Sequence, residues 1–231
     1  MDRNGNTYTF LYAAIMVILV AAVLATVSMA LKPRQKKNAE IEKKQNILAS
    51  VNITSTAESA EAIYAEKIIN EYVVNVKGEQ VEGDAFNTDL KKERAKAAEE
   101  MTLPVFECKT DDGVKYVLPL YGAGLWGPVW GYVSLSEDMN TIYGANFDHE
   151  GETPGLGAEI STTAFEEPFT GKKIFDDSGK LVSILIAKVG QVAPEQHKVD
   201  GISGGTITSK GLEKMLLDDF ISYQEFLNKK K

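Results

Sequence analysis

The chain has 231 residues, a length that fits one or two domains, and 44% of its residues are hydrophobic, which is ordinary for a folded protein. Its net charge of −8 argues against a nucleic-acid partner, because proteins that bind nucleic acid present a basic surface to the phosphates. With one cysteine and two histidines, the chain has no means to build an intrachain disulfide framework or a cysteine-based metal cluster, and we predict no metal site.

The first predicted element is a membrane-spanning helix. Residues 10–31 carry no charge and are long enough, at about 1.5 Å per residue, to cross the ~30 Å hydrocarbon core of a bilayer. A cleaved signal peptide is the alternative, but its apolar region is usually only about 7–15 residues long. We therefore expect a retained single-pass anchor over residues 1–35, in contact with lipid. Four basic residues between positions 32 and 37 favour a cytoplasmic location for the rest of the chain.

Residues 36–100 are predicted to form a helical stalk and peripheral helices. The charged, helix-favouring residues 36–51 predict a stalk that leaves the membrane. The hydroxyl residues at 54–56 predict the start of a second helix over residues 57–70. A short strand is predicted over residues 72–76, and a charged surface helix over residues 89–100.

Residues 101–231 are predicted to form one domain. The predicted strands are residues 105–108, 115–120, 131–135 and 141–147, and the strongly apolar residues 181–189 are predicted to be the central strand. A final helix is predicted over residues 208–227, with Thr208 or Ser209 as its cap. Runs of strands with helices at both ends of the chain predict the α+β class, with an antiparallel sheet rather than a doubly wound one.

Three stretches, residues 121–131, 149–157 and 200–209, contain more glycine and hydroxyl residues than a core requires. Glycine allows close approach of the backbone to a ligand. The third stretch leads into a helix N-terminus, where free amide groups and the helix dipole attract phosphate. Thr208 and Ser209 can donate to such a phosphate, although capping the helix is an equal alternative. None of the stretches matches the usual nucleotide-binding loops, and each can also be a simple turn.

Taken together, the three stretches resemble a known family. Residues 200–209 (DGISGGTITS) resemble the flavinylation motif of the covalent FMN-binding domain family, and residues 152–157 (ETPGLG) resemble a second segment of the same domains. Residues 124–126 (GLW), with Trp130 and Gly131, are similar to a segment of the C subunits of the sodium-translocating NADH:quinone oxidoreductases. The resemblance covers essentially the whole chain, including the N-terminal helix. Gly205 departs from the usual alanine, but only a methyl group is lost, so we expect attachment to survive.

The resemblance implies that FMN is attached through a phosphoester to Thr206 by a flavin transferase, with Ser203 as the alternative acceptor. The other residues with an implied cofactor-binding role are Gly204, Gly205, Thr208, Ser209, Glu152, Thr153, Gly155, Leu156, Gly157, Leu125 and Trp126. Lys188 is a further candidate that could tune the flavin by its charge, and a solvated lysine is the other interpretation.

The implied role is that of a redox relay without a catalytic base of its own. A subunit with this role is part of a sodium-transporting NADH:ubiquinone reductase, and its partners are the other subunits of that membrane respiratory complex. The resemblance also implies a bacterial inner-membrane location with the FMN domain on the extracytoplasmic side. The basic residues that follow the helix favour the opposite, cytoplasmic side. Two alternatives remain: the G subunit of the related ferredoxin:NAD oxidoreductase complex, and a membrane-anchored binding module that carries no flavin.

Overall fold

The computed structural model describes residues 5–188 and 190–231. The chain divides into two compact units, Met1–Lys43 and Lys44–Lys231, which are described separately. The first four residues of the predicted anchor, and Val189 of the predicted central strand, lie outside the described residues.

The long N-terminal helix α1 spans Asn6–Ala49. It is the one helix in the described part of the chain that is long and apolar enough to cross a membrane, with a mean hydropathy of 2.7 over an 18-residue window. The helix includes Pro33 and the charged residues that follow the apolar run.

The last turn of α1 belongs to the second unit and packs into it. Ile47 and Leu48 are fully buried, in one hydrophobic cluster with residues of the sheet such as Phe106 and Val117. Beyond the end of the helix, Asn52 adopts the left-handed conformation (φ 59°) and the amide of Ile53 donates to the carbonyl of Leu48, a common way to terminate a helix.

The main sheet of the second unit has six antiparallel strands in the order β2-β1-β3-β4-β5-β6. The strands are β1 Ile68–Asn75, β2 Gln80–Val81, β3 Thr102–Thr110, β4 Gly113–Ala123, β5 Pro128–Leu135 and β6 Ile142–His149. With helices at both ends of the chain, this arrangement confirms the predicted α+β class with an antiparallel sheet.

Two predicted helices are shorter than expected. The helix predicted over residues 57–70 is α2, Ala60–Lys67, because the β-branched residues that follow pair with β3 as the start of β1. The position before α2 is Ser59 rather than a residue of 54–56. The stretch predicted as a helix over residues 89–100 contains only α3, Leu90–Glu93, and a 3₁₀ turn, Ala98–Glu100, on the surface as expected.

The prediction that residues 181–189 form the central strand is wrong. Within the described part of this stretch, only Leu185–Ala187 is a strand (β7), and it pairs in parallel with β8, Lys198–Asp200, apart from the main sheet. Ile184 and Ile186 are buried, but Ser183 has a φ of 60° that interrupts an extended strand. The apolar run therefore reflects burial. An apolar run by itself does not distinguish a buried irregular segment from a central strand.

The segment between β6 and β7 is built from short helical pieces. These are the 3₁₀ turn Gly157–Ser161, α4 Thr163–Glu166 and the 3₁₀ turn Glu167–Phe169, and a further 3₁₀ turn, Glu195–His197, precedes β8.

The C-terminal helix α5, Thr206–Lys230, packs its apolar side on the sheet, where Leu212, Leu216 and Phe220 are fully buried. The buried Tyr223 hydroxyl donates to the carbonyl of Pro104, at 2.7 Å. The helix begins two residues earlier than predicted, so the expectation that Thr208 or Ser209 caps it is wrong. Gly205 occupies the cap position, and no side chain caps the helix.

Candidate functional site

The three glycine-rich stretches meet at the first turn of α5. The first contains the turn between β4 and β5, the second follows β6, and the third runs from β8 into α5. One side chain, that of Glu152, connects all three.

Glu152 is a buried carboxylate with only 4% of its surface exposed. Its Oε1 accepts a hydrogen bond from the amide of Trp126 at 2.8 Å, and its Oε2 accepts one from the hydroxyl of Thr208 at 2.5 Å. The amide of Glu152 donates to Nδ1 of His149 at 3.2 Å. Burial alone would raise the pKa of Glu152, but the hydrogen bonds from Thr208, Trp126 and Leu125 outweigh it and lower the pKa.

Because two glycines near Glu152 have no side chain, there is room for this carboxylate. A Cβ on Gly124 would lie 2.5 Å from Oε1 of Glu152, and a Cβ on Gly157 would collide with both Oε2 and the Thr208 hydroxyl. The small residues of the first two stretches therefore serve the packing of Glu152 and Thr208.

The loop before α5 packs on the second stretch. Gly204 has a φ of +77°, and a Cβ there would lie 2.6 Å from Cδ2 of Leu156. Gly155 likewise has a positive φ, of 75°, in the turn that brings Leu156 to this loop.

The two candidate acceptors, Ser203 and Thr206, are both exposed, and both line a cavity of about 260 Å³. Thr206 is the first residue of α5, so its hydroxyl stands at the uncapped, positive end of a 25-residue helix. Lys188 is exposed and lines the same cavity, together with Lys210.

Lys210 was missed by the sequence analysis. It follows Thr206 by four residues, and residues at this spacing share one helix face, a signal that could have identified it. Its Nζ lies 2.8 Å from Oε1 of Glu213, whose other oxygen accepts a hydrogen bond from the amide of Ile186.

The hydroxyls of Thr208 and Ser209 face the interior. Thr208 is 1% exposed and bonded to Glu152, while the Ser209 hydroxyl accepts a hydrogen bond from the amide of Ile202 at 3.2 Å. Ser209 also lines the cavity.

Several large apolar side chains near this turn are exposed to solvent. Trp126 is 69% exposed, and Leu125 and Leu156 are 46% and 41% exposed. Ile207, which the sequence analysis did not single out, is 59% exposed next to Thr206. Thr153 is also exposed. An apolar surface of this kind can hold a flat aromatic ligand.

No group of three or more His, Cys, Asp or Glu side chains in residues 5–188 and 190–231 is placed to hold a metal ion.

Comparison with known proteins identifies relatives of the chain. Residues 124–218, which include the second and third glycine-rich stretches and the first from Gly124 onwards, match the FMN-binding domain family. The C subunit of the Na⁺-translocating NADH-quinone reductase of Vibrio vulnificus is 30% identical over 231 residues, covering 92% of this chain and 90% of the relative. The C subunit of the same reductase of Haemophilus ducreyi is 32% identical over 235 residues, covering 92% and 88%.

A solved structure supports the same assignment. The structure of the C subunit of the Na⁺-translocating NADH-quinone reductase from Parabacteroides distasonis is 50% identical and superimposes with a TM-score of 0.80, covering 85% of this chain and 96% of that one. With this agreement in sequence and fold, the chain belongs to the family of C subunits of the Na⁺-translocating NADH-quinone reductases, an oxidoreductase complex.

Proposed function

We propose that the chain is a membrane-anchored electron-transfer subunit that carries FMN on Thr206 through a phosphoester. The observation that carries the proposal is the position of the Thr206 hydroxyl: it is exposed, at the N-terminus of a long helix, on a cavity with two lysines. These residues lie within the part of the chain that matches the FMN-binding domain family.

The cavity suits the phosphate end of FMN. The first backbone amides of α5 have no carbonyl partner within the helix, and their N–H groups point out of its N-terminal end. They can therefore stabilise the negative charge of a phosphodiester there. Lys210 lines the same cavity as Thr206, and its ammonium group is paired with Glu213. Lys188, which lines the same cavity, adds a second positive charge.

The exposed apolar side chains suit the ring end of FMN. Leu125, Trp126 and Leu156 offer apolar contact surface for the isoalloxazine, and the exposed Thr153 hydroxyl lies in the same segment as Leu156. Bound FMN supplies the redox chemistry, whereas the chain holds the phosphate, orients the ring and limits its contact with water. A relay of this kind needs no catalytic base.

The wider role follows from the family. We propose that α1 anchors the chain in the lipid of the bacterial inner membrane, with the FMN domain on the extracytoplasmic side, and that a flavin transferase loads it. The partners are the other subunits of a sodium-pumping NADH:ubiquinone reductase. The named relatives are C subunits, which favours this complex over the ferredoxin:NAD oxidoreductase and its G subunit. Copurification with an NADH-oxidising flavoprotein partner would support this choice.

Flavin fluorescence of the denatured protein tests the attachment. The full chain is produced together with a flavin transferase, and wild type, Thr206→Val and Ser203→Ala are compared on a denaturing gel under ultraviolet light. Wild type and Ser203→Ala should fluoresce, and Thr206→Val should not, because it lacks the hydroxyl that forms the phosphoester. Ser203→Ala is the matched control, since it removes a hydroxyl from the same cavity.

Two results would contradict this assignment. Fluorescence that persists in Thr206→Val and disappears in Ser203→Ala would move the attachment to Ser203. A wild-type chain without fluorescence would refute covalent FMN and favour the binding module without flavin.

A further inference from the structure

The Glu152 carboxylate is buried beside the flavin-bearing turn without a lysine or arginine to neutralise it. No salt bridge joins it to either type of side chain in the described part of the chain. Its two oxygens are instead held by the amide of Trp126 and the hydroxyl of Thr208. A buried charge without an opposite charge is costly, so a protein retains one only where hydrogen bonds satisfy it or where it has a function.

The surroundings of Glu152 are built for the ionised form. Within the described residues, the hydrogen bonds to its oxygens come from the Thr208 hydroxyl and from the amides of Trp126 and Leu125; together with nearby His149 they lower its pKa in spite of burial, so it carries its charge at neutral pH. Thr208 lies in the first turn of α5, where the positive end of the helix dipole further favours an anion. Gly124 and Gly157 leave the space in which the carboxylate fits.

From these contacts, and on the basis of the proposed FMN attachment, we propose that Glu152 is a positioning residue. It joins the three glycine-rich stretches to the first turn of α5, and its fixed negative charge lowers the reduction potential of the flavin on Thr206. This differs from the direct flavin contact that the sequence predicts for Glu152, because both oxygens are engaged and the side chain is buried.

The effect on the potential follows from Coulomb's law. Reduction adds negative charge to the flavin ring, and Glu152 accepts a hydrogen bond from the amide of Trp126, one of the residues proposed to contact that ring. A fixed anion in a poorly solvated site opposes this charge more strongly than it would in water. Neutralising Glu152 should therefore make the flavin easier to reduce.

The test compares the flavin-loaded full chain with Glu152→Gln and Glu107→Gln in a redox titration. We expect a shift to more positive potential in Glu152→Gln, which removes the charge and keeps the shape of the side chain. Glu107 is the matched control: it is also a buried carboxylate, 8% exposed, but it contacts Lys230 at the far end of α5 and should leave the potential unchanged. An unchanged potential in Glu152→Gln, or an equal shift in Glu107→Gln, would overturn the proposal.

A second measurement needs no flavin. In the flavin-free protein, the amide NMR resonance of Trp126 should shift with the ionisation of Glu152 at acid pH in wild type, and not in Glu152→Gln. An amide that does not titrate in wild type would refute the contact. This readout separates the two proposals: if Thr206 carries no flavin, the attachment fails while the role of Glu152 in joining the three stretches is still tested.

Discussion

At the scale of single residues, Gly204 and Gly205 are neighbours with different requirements. Gly204 needs a positive φ and lies against Leu156, so a side chain is disfavoured both by conformation and by space. Gly205 has a φ of −100°, which any residue can adopt, and a Cβ there would be 3.0 Å from Cγ2 of the partly exposed Ile202. Gly205 is therefore less restricted than Gly204.

Alanine substitutions should separate the two glycines. Gly204→Ala should lower the free energy of unfolding by about 1–2 kcal/mol, because a non-glycine residue is strained at this φ and meets Leu156. Gly205→Ala should lower it by less than Gly204→Ala does, because its φ is allowed, while Ile202 and the backbone of Leu156 must move by a few tenths of an ångström. Urea unfolding of both variants measures the difference, and equal losses would argue against the described loop conformation.

At the scale of secondary-structure elements, a buried ion pair fastens the segment around α3 to α5. Arg94 follows α3 and forms a salt bridge with Asp219 of α5, which is 1% exposed. The second oxygen of Asp219 accepts a hydrogen bond from the amide of Tyr121 in β4, at 3.0 Å. The charged surface segment predicted from the sequence therefore has one residue that reaches the core.

Removing one partner of this pair should lower the free energy of unfolding much more than removing a surface ion pair does. Arg94→Met should lower the free energy of unfolding by about 3 kcal/mol, because Asp219 is left buried and uncompensated. In an Asp219→Asn background the same substitution should cost far less, which a double-mutant cycle by urea unfolding measures. Lys92→Met, which removes only the exposed pair with Asp89, is the control and should have little effect. An additive cycle would show that the pair does not couple α3 to α5.

The error over residues 181–189 also belongs to this scale. Their apolar pattern predicted burial correctly for Ile184, Ile186 and Ala187. Their pairing partner, β8, is a three-residue strand that follows in the chain, and no local pattern indicates which strands pair. Helix α2 shows the same limit, since pairing with β3 decides where it ends.

At the scale of the whole molecule, the pH dependence of stability should reflect Glu166. This residue of α4 accepts a hydrogen bond from the amide of Phe147 in β6 at 2.7 Å. It lines a cavity of about 470 Å³ with residues of the last turn of α1. Its pKa is raised to about 7. Burial is the main cause, repulsion from Asp148 adds to it, and the hydrogen bond from the Phe147 amide opposes both.

The sign of the effect follows from proton binding. Because the folded state binds the Glu166 proton more tightly than the unfolded state, this group makes the protein less stable as pH rises from about 4.5 to about 7. Glu166→Gln removes the titration, so it should be more stable than wild type by about 2 kcal/mol at pH 8 and similar to it at pH 4. Thermal melting across this range measures the difference. The exposed neighbour Glu167→Gln should show no such trend, and a Glu166→Gln curve parallel to wild type would refute the raised pKa.

Local pattern alone established a good part of this protein. The uncharged run of α1, the strands β3 to β6 and the class of fold are properties of short stretches, because apolar periodicity and turn residues act within a few residues of the chain. The motif around Thr206 was found through its resemblance to the FMN-binding domain family. Tertiary structure decided which of those stretches contact one another. It brought Lys188 to the same cavity as Thr206, turned Thr208 inward, and set Glu152 where three distant segments meet. These contacts join residues up to 56 positions apart, and their partners are chosen by packing, which a sequence pattern does not contain.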